Sequence, residues 1–137
     1  MKISTNYDGK MRFTSGEDVS RVVMDAAPLV GGLGEAPSPK KMVLHGLAGC
    51  TGMDVAAILK KKKVEYDNFS IDVEADQTRS HPKVFNEIKM VFRFTANPED
   101  RAPIENAIKL SKGQFCGVSK MLGKTASITW ELEITPR

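Results

Sequence analysis

The hydrophobic pattern changes period along the chain. In "KISTNY", at positions 2–7, Ile3, Thr5 and Tyr7 alternate with polar neighbours, and "DG" at 8–9 is a hairpin turn signal. "MRFTS" and "VSRVVMD" predict second and third strands. The stretch 31–39, "GGLGEAPSP", reads as a loop by its glycine and proline content. From Met42 to Leu59 the sequence is apolar on almost every side of a helical wheel, broken only by His45, Thr51 and Asp54. Ser38 fits the N-cap of this helix and Pro39 its first position. Lys60 to Lys63 match the dipole at its end and read as a solvated terminus. A helix apolar all round is expected to be buried.

Period two then returns. In "FSIDVEADQ", Phe69, Ile71, Val73 and Ala75 alternate with Ser70, Asp72, Glu74 and Asp76. In "EIKMVFRF", Ile88, Met90, Phe92 and Phe94 share one face. A helix is predicted over 103–112 with Asp100 as its cap, a break at Gly113, and a short helix over 117–122. "ASITWELEIT" closes with Ile128, Trp130, Leu132 and Ile134 in alternation. The order β-β-β-α-β-β-α-α-β predicts an α+β fold, an antiparallel sheet packed on a long central helix. The 137 residues are the usual length of one domain, so 1–137 is expected to be a single unit.

Composition narrows the function. The net charge is +3, from 20 basic and 17 acidic residues, too mild to argue for nucleic acid or an anionic membrane as partner. No uninterrupted apolar run approaches the ~20 residues of a membrane span, and "MKISTNYDGKMRF" lacks the apolar core of a signal peptide. A cytoplasmic location is expected. Structural disulfides are rare there, so the two cysteines, Cys50 and Cys116, are not a scaffold by default.

The long helix contains "LHGLAGCTGMDV", with glycines at 46, 49 and 52 around Cys50. At about 100° per residue, Met42, Gly46, Gly49, Cys50, Met53 and Ala57 form one stripe, with Gly52 beside it. Small residues there allow a second element to pack closely, with Cys50 as a small core residue. Alternatively, the stripe presents a thiol. Cys116, in "GQFCGVSKML", falls at a helix start, where backbone N–H groups favour a thiolate. His45 lies roughly 140° around the wheel from Cys50, so a Cys–His pair on this helix is not expected. Asp54, one turn from Cys50, would raise its pKa. Cys50 and Asp54 could supply two metal ligands, but the sequence offers no convincing third, so no metal and no cofactor are expected. "GGLGEAPSP" follows no buried parallel strand and is a weak nucleotide signal.

"APSPKKMVLHGLAGCTGMDVAAIL", with a second cysteine in "FCGVSKML", resembles the OsmC/Ohr family of osmotically inducible and organic hydroperoxide resistance proteins. The shared pattern is a proline turn, a long helix with a cysteine eleven residues after the proline, two long strands, a Cys-Gly-Val-Ser segment and a last strand. The resemblance implies an OsmC-like fold, with sheets wrapped around central helices in an interlocked homodimer. It implies a thiol-dependent peroxidase for organic or lipid hydroperoxides, in oxidative stress defence. Cys50 would be the peroxidatic thiol and Cys116 the resolving one, with a dithiol reductant such as a lipoylated protein restoring the pair. Arg12 would be the arginine that orients against the thiolate. The sequence departs from the peroxidases at the helix start, where Lys40 and Lys41 stand in place of a glutamate, leaving Glu35 in the preceding loop as the substitute carboxylate. In this it looks closer to the uncharacterised OsmC-like branch. A second reading is therefore a non-catalytic module that binds a small hydrophobic ligand in the dimer cavity.

Overall fold

Strands form where the period-two pattern predicts them. The computed structural model describes all 137 residues, Met1–Arg137. Its backbone divides into two compact units, Met1–His45 and Gly46–Arg137.

In the first unit, β1 (Thr5–Gly9), β2 (Arg12–Ser15) and β3 (Val22–Met24) make an antiparallel sheet in that order. The hairpin turn falls at Lys10–Met11, two positions beyond the expected "DG". Both residues are left-handed, with φ of 48° and 60°, the backbone that matches strand twist in a two-residue hairpin. A bulge between Tyr7 and Gly9 shifts the register and carries the turn forward.

The glycine-rich loop is organised by one carboxylate. Asp25, 2% exposed, accepts hydrogen bonds from the backbone N–H groups of Ala26 (2.7 Å), Glu35 (3.1 Å) and Leu33 (3.3 Å). Its own N–H donates to the Pro37 carbonyl at 3.1 Å. Gly32 is required within the loop, because a Cβ there would lie 1.9 Å from the Ala26 carbonyl oxygen. The loop is thus built on an internal acid and not on a phosphate. The Glu35 N–H, first among these donors, holds the Asp25 carboxyl below the usual carboxylate range. A depressed folded pKa contributes stability above the unfolded value of about 3.9, lost as pH falls through the folded value. Asp25→Asn is expected to lower the urea midpoint at pH 7. The gap to the wild type should narrow below about pH 4, as acid removes the same charge from the native carboxyl.

The long helix α1 (Pro39–Lys62) starts as expected: the Ser38 hydroxyl accepts from the Lys41 N–H at 3.3 Å. Leu47, Thr51, Val55 and Leu59, four residues apart, are its buried stripe. The other positions of the helix are half-buried or exposed within one chain, and Met53 is 75% exposed. All-round burial is therefore corrected to a single buried stripe. By length and composition α1 would also qualify as a membrane span, contrary to expectation. It carries Asp54 at mid-length and turns one apolar stripe inward onto its own chain.

The second sheet comprises β4 (Tyr66–Gln77), β5 (Phe85–Ala96) and β6 (Ser127–Pro136), with β5 central. Its register aligns the apolar rows: Phe69 opposite Phe94, Ile71 opposite Phe92, then Phe92 beside Leu132 and Met90 beside Trp130. Phe69 stacks on Phe94 at 4.2 Å between ring centroids, and Trp130 meets Phe92 edge-on at 6.4 Å. On the opposite face Arg93 bridges Asp72 and Glu133, and Lys89 pairs with Glu131. β4 and β5 are antiparallel as expected, but β6 joins β5 in parallel. The cause is the connection: residues 97–126 cross over through α2 (Arg101–Leu110) and α3 (Gly117–Leu122), and parallel neighbours need such a crossover. Asp100 does occupy the N-cap of α2, yet its side chain makes no capping bond and takes the Asn97 amide instead, at 3.4 Å.

Candidate active site

Two elements of the second unit bring the chemistry together. Cys50 and Thr51 are consecutive on α1, and Asp54 lies one turn further on. α2 ends in a π-helical turn, Ser111–Phe115, which loosens the chain before Cys116. The Cys116 N–H closes that turn on the Ser111 carbonyl at 2.8 Å. Cys116 then serves as N-cap of α3, its sulfur accepting from the Ser119 N–H at 3.3 Å.

Both cysteines are free, Cys50 half-buried and Cys116 3% exposed. Their Sγ atoms and an Asp54 carboxylate oxygen all lie within 4.8 Å of one another. The Thr51 hydroxyl points its proton at the Cys116 sulfur from 3.5 Å. The Ser111 hydroxyl donates to Asp54 Oδ2 at 3.0 Å. The cluster thus has a thiol on each element and neutral donors that fix it.

The two thiols titrate as a pair. The neighbouring Cys116 thiol, and after it burial, hold the Cys50 pKa above the usual thiol value. Burial pushes Cys116 upward, but donation from Thr51, Cys50 and the Ser119 N–H outweighs it and leaves its pKa lowered. The Asp54 charge opposes ionisation of both, as its position one turn from Cys50 predicts.

The two cysteines, 66 positions apart in sequence (116 − 50), are thus neighbours. Arg12 lies in the first unit, where its Nη1 pairs with Glu35 Oε2 at 3.1 Å. The loop carboxylate that the sequence offers in place of the helix-start glutamate does hold this arginine. The glycines answer differently from expectation. Only Gly52 is approached closely, since a Cβ there would sit 3.3 Å from Ile71 Cδ1, whereas Gly46 and Gly49 have nothing within 4 Å in one chain. Ser111 and Thr51 were not legible as site residues. Asp54 was visible by its spacing from Cys50, but its nearness to Cys116 was not.

The family model for OsmC-like protein matches residues 32–131. This chain belongs to the OsmC-like family. Protein YhfA of Escherichia coli K12 is 31% identical over 100 residues, spanning 73% of this chain and 75% of that protein. The fold is shared with an OsmC-like protein from Mycoplasma pneumoniae, with a TM-score of 0.83, 16% identity, and 98% and 96% of the two chains covered. It is also shared with the organic hydroperoxide resistance protein OhrB of Bacillus subtilis, with a TM-score of 0.70, 17% identity and 96% of each chain covered.

Proposed function

We propose that this chain is a thiol-dependent peroxidase that reduces organic or lipid hydroperoxides with Cys50 and Cys116. The observation that carries the reading is the pair itself: two free thiols whose sulfurs lie within 4.8 Å of each other. Cys50 is the more exposed and meets the substrate. Cys50 gives up its proton to solvent, and the resulting thiolate attacks the terminal peroxide oxygen. The O–O bond breaks, the alcohol leaves with a proton, and Cys50 becomes a sulfenic acid. Cys116 then attacks that sulfur, expels water and forms the disulfide, which a dithiol such as a lipoylated protein reduces. The balance is two thiols and one hydroperoxide to one disulfide, one alcohol and one water.

The working unit in this reading is an interlocked homodimer of single OsmC-like domains, residues 1–137, in the reducing cytoplasm. The exposed apolar side of α1, including Val43 and Met53, supports a second copy as its cover. Arg12 keeps the role that the family resemblance implies for it, the cation of the reaction, and within its own unit it pairs with Glu35. The test is direct. Reduced protein mixed with a modest excess of cumene hydroperoxide should lose both thiols and consume one peroxide per pair in a single turnover. Survival of both thiols overturns the reading.

A further inference from the structure

We propose that Cys50, Asp54 and Cys116 form a binding site for a thiophilic divalent cation of the zinc class. The sequence supplied two candidate ligands on one helix face, and the fold supplies the third from the start of α3. A tetrahedral cation with Zn–S near 2.3 Å and Zn–O near 2.1 Å would hold its donor atoms about 3.5–3.8 Å apart. The three donor atoms already lie within 4.8 Å of one another, so contraction of about one ångström would close them on an ion.

The donor set points the same way. Two sulfurs and a carboxylate oxygen, all donors suited to such a cation, converge at this point. None of the ion pairs in the chain includes it, and its hydrogen-bond donor is the neutral Ser111 hydroxyl. A divalent cation would gather two thiolates and a carboxylate and displace the thiol protons to buffer. The ligands are also held from outside: Ser111 on Asp54, and Thr51 with the Ser119 N–H on Cys116. Such supporting bonds orient ligands in metal sites. Cys50 is half-buried, which leaves the fourth position open to water or another ligand. Binding does not depend on the peroxidase reading, but it excludes the disulfide while the cation is present.

Cobalt(II) titration of the reduced, metal-free full-length protein, without oxygen, tests the site. One equivalent should give an intense thiolate-to-cobalt charge-transfer band and tetrahedral visible bands, both abolished by zinc. Asp54→Asn should keep the thiolate band but bind zinc about 10-fold or more weakly, measured against a chelator. Cys50→Ser and Cys116→Ser should each lose at least half the band. No band in the wild type, or unchanged zinc affinity in Asp54→Asn, overturns the site. If Asp54→Asn does not fold, a cysteine variant that retains the full wild-type band overturns it instead. Hydroperoxide consumption by the metal-free wild type reads the peroxidase chemistry separately, so either assignment can fail alone.

Discussion

Cys50→Ser is expected to lower hydroperoxide consumption to the buffer background, while Cys116→Ser completes one attack and stops. The asymmetry follows from the pair. Without Cys50 the remaining sulfur is 3% exposed and has no neighbour to resolve a sulfenic acid. Without Cys116 the sulfenic acid formed on the half-buried Cys50 has no thiol to condense with. That variant should accumulate a sulfenic acid, trapped by dimedone and seen as an adduct by mass spectrometry, or over-oxidise to the sulfinic acid. Equal loss in both variants with no trapped adduct would argue against the assigned order of attack. A serine preserves shape at either site, so thermal unfolding of each variant should stay near that of the wild type.

Phe92→Ala is expected to destabilise the protein by about 3–5 kcal/mol, the cost of removing a large buried aromatic side chain. Phe92 is 1% exposed and sits on the central strand β5, between Ile71 of β4 and Leu132 of β6 in register. Trp130 meets it edge-on, so the cavity would be lined by rings that cannot easily collapse into it. With total stabilities of about 5–15 kcal/mol, that loss is a large fraction of the whole. It should lower the melting temperature on the order of 10–20 °C. Ser70→Ala, on the exposed face of β4, should stay within about 0.5 kcal/mol of the wild type. A small effect at Phe92 in calorimetry would mean that the sheet packs more loosely than its burial shows.

Alternation was a good guide to strands and a poor one to their direction. Phe69, Ile71 and Val73, like Ile128, Trp130 and Leu132, repeat every two residues whichever way a neighbour runs, so nothing in the pattern marked β6 as parallel. Direction is fixed by the crossover, which is a property of chain path. The long helix shows the complementary failure. Its apolar residues were legible, but apolarity states what can be buried and not what buries it, and one chain covers only the Leu47–Thr51–Val55–Leu59 stripe. At the site, Cys50 and Cys116 stood out because each lay in a distinctive segment. Ser111 did not, because a hydroxyl at a helix end is ordinary and becomes a site residue only when a π turn sets it against Asp54.

The parallel pairing of β6 also sets the order in which this molecule can be made. β4 and β5 can zip as a hairpin soon after both leave the ribosome. β5 must then wait for residues 97–126 and the strand that follows before its second edge is covered. Contacts of that separation form late, because the intervening loop must close first. Cys116 lies in the same crossover, so the closure that shields the strand edge also delivers the second thiol to the first. Cys50 therefore stays without its partner thiol until the crossover folds, and the crossover that brings Cys116 to it is the one that leads β6 to the open edge of β5.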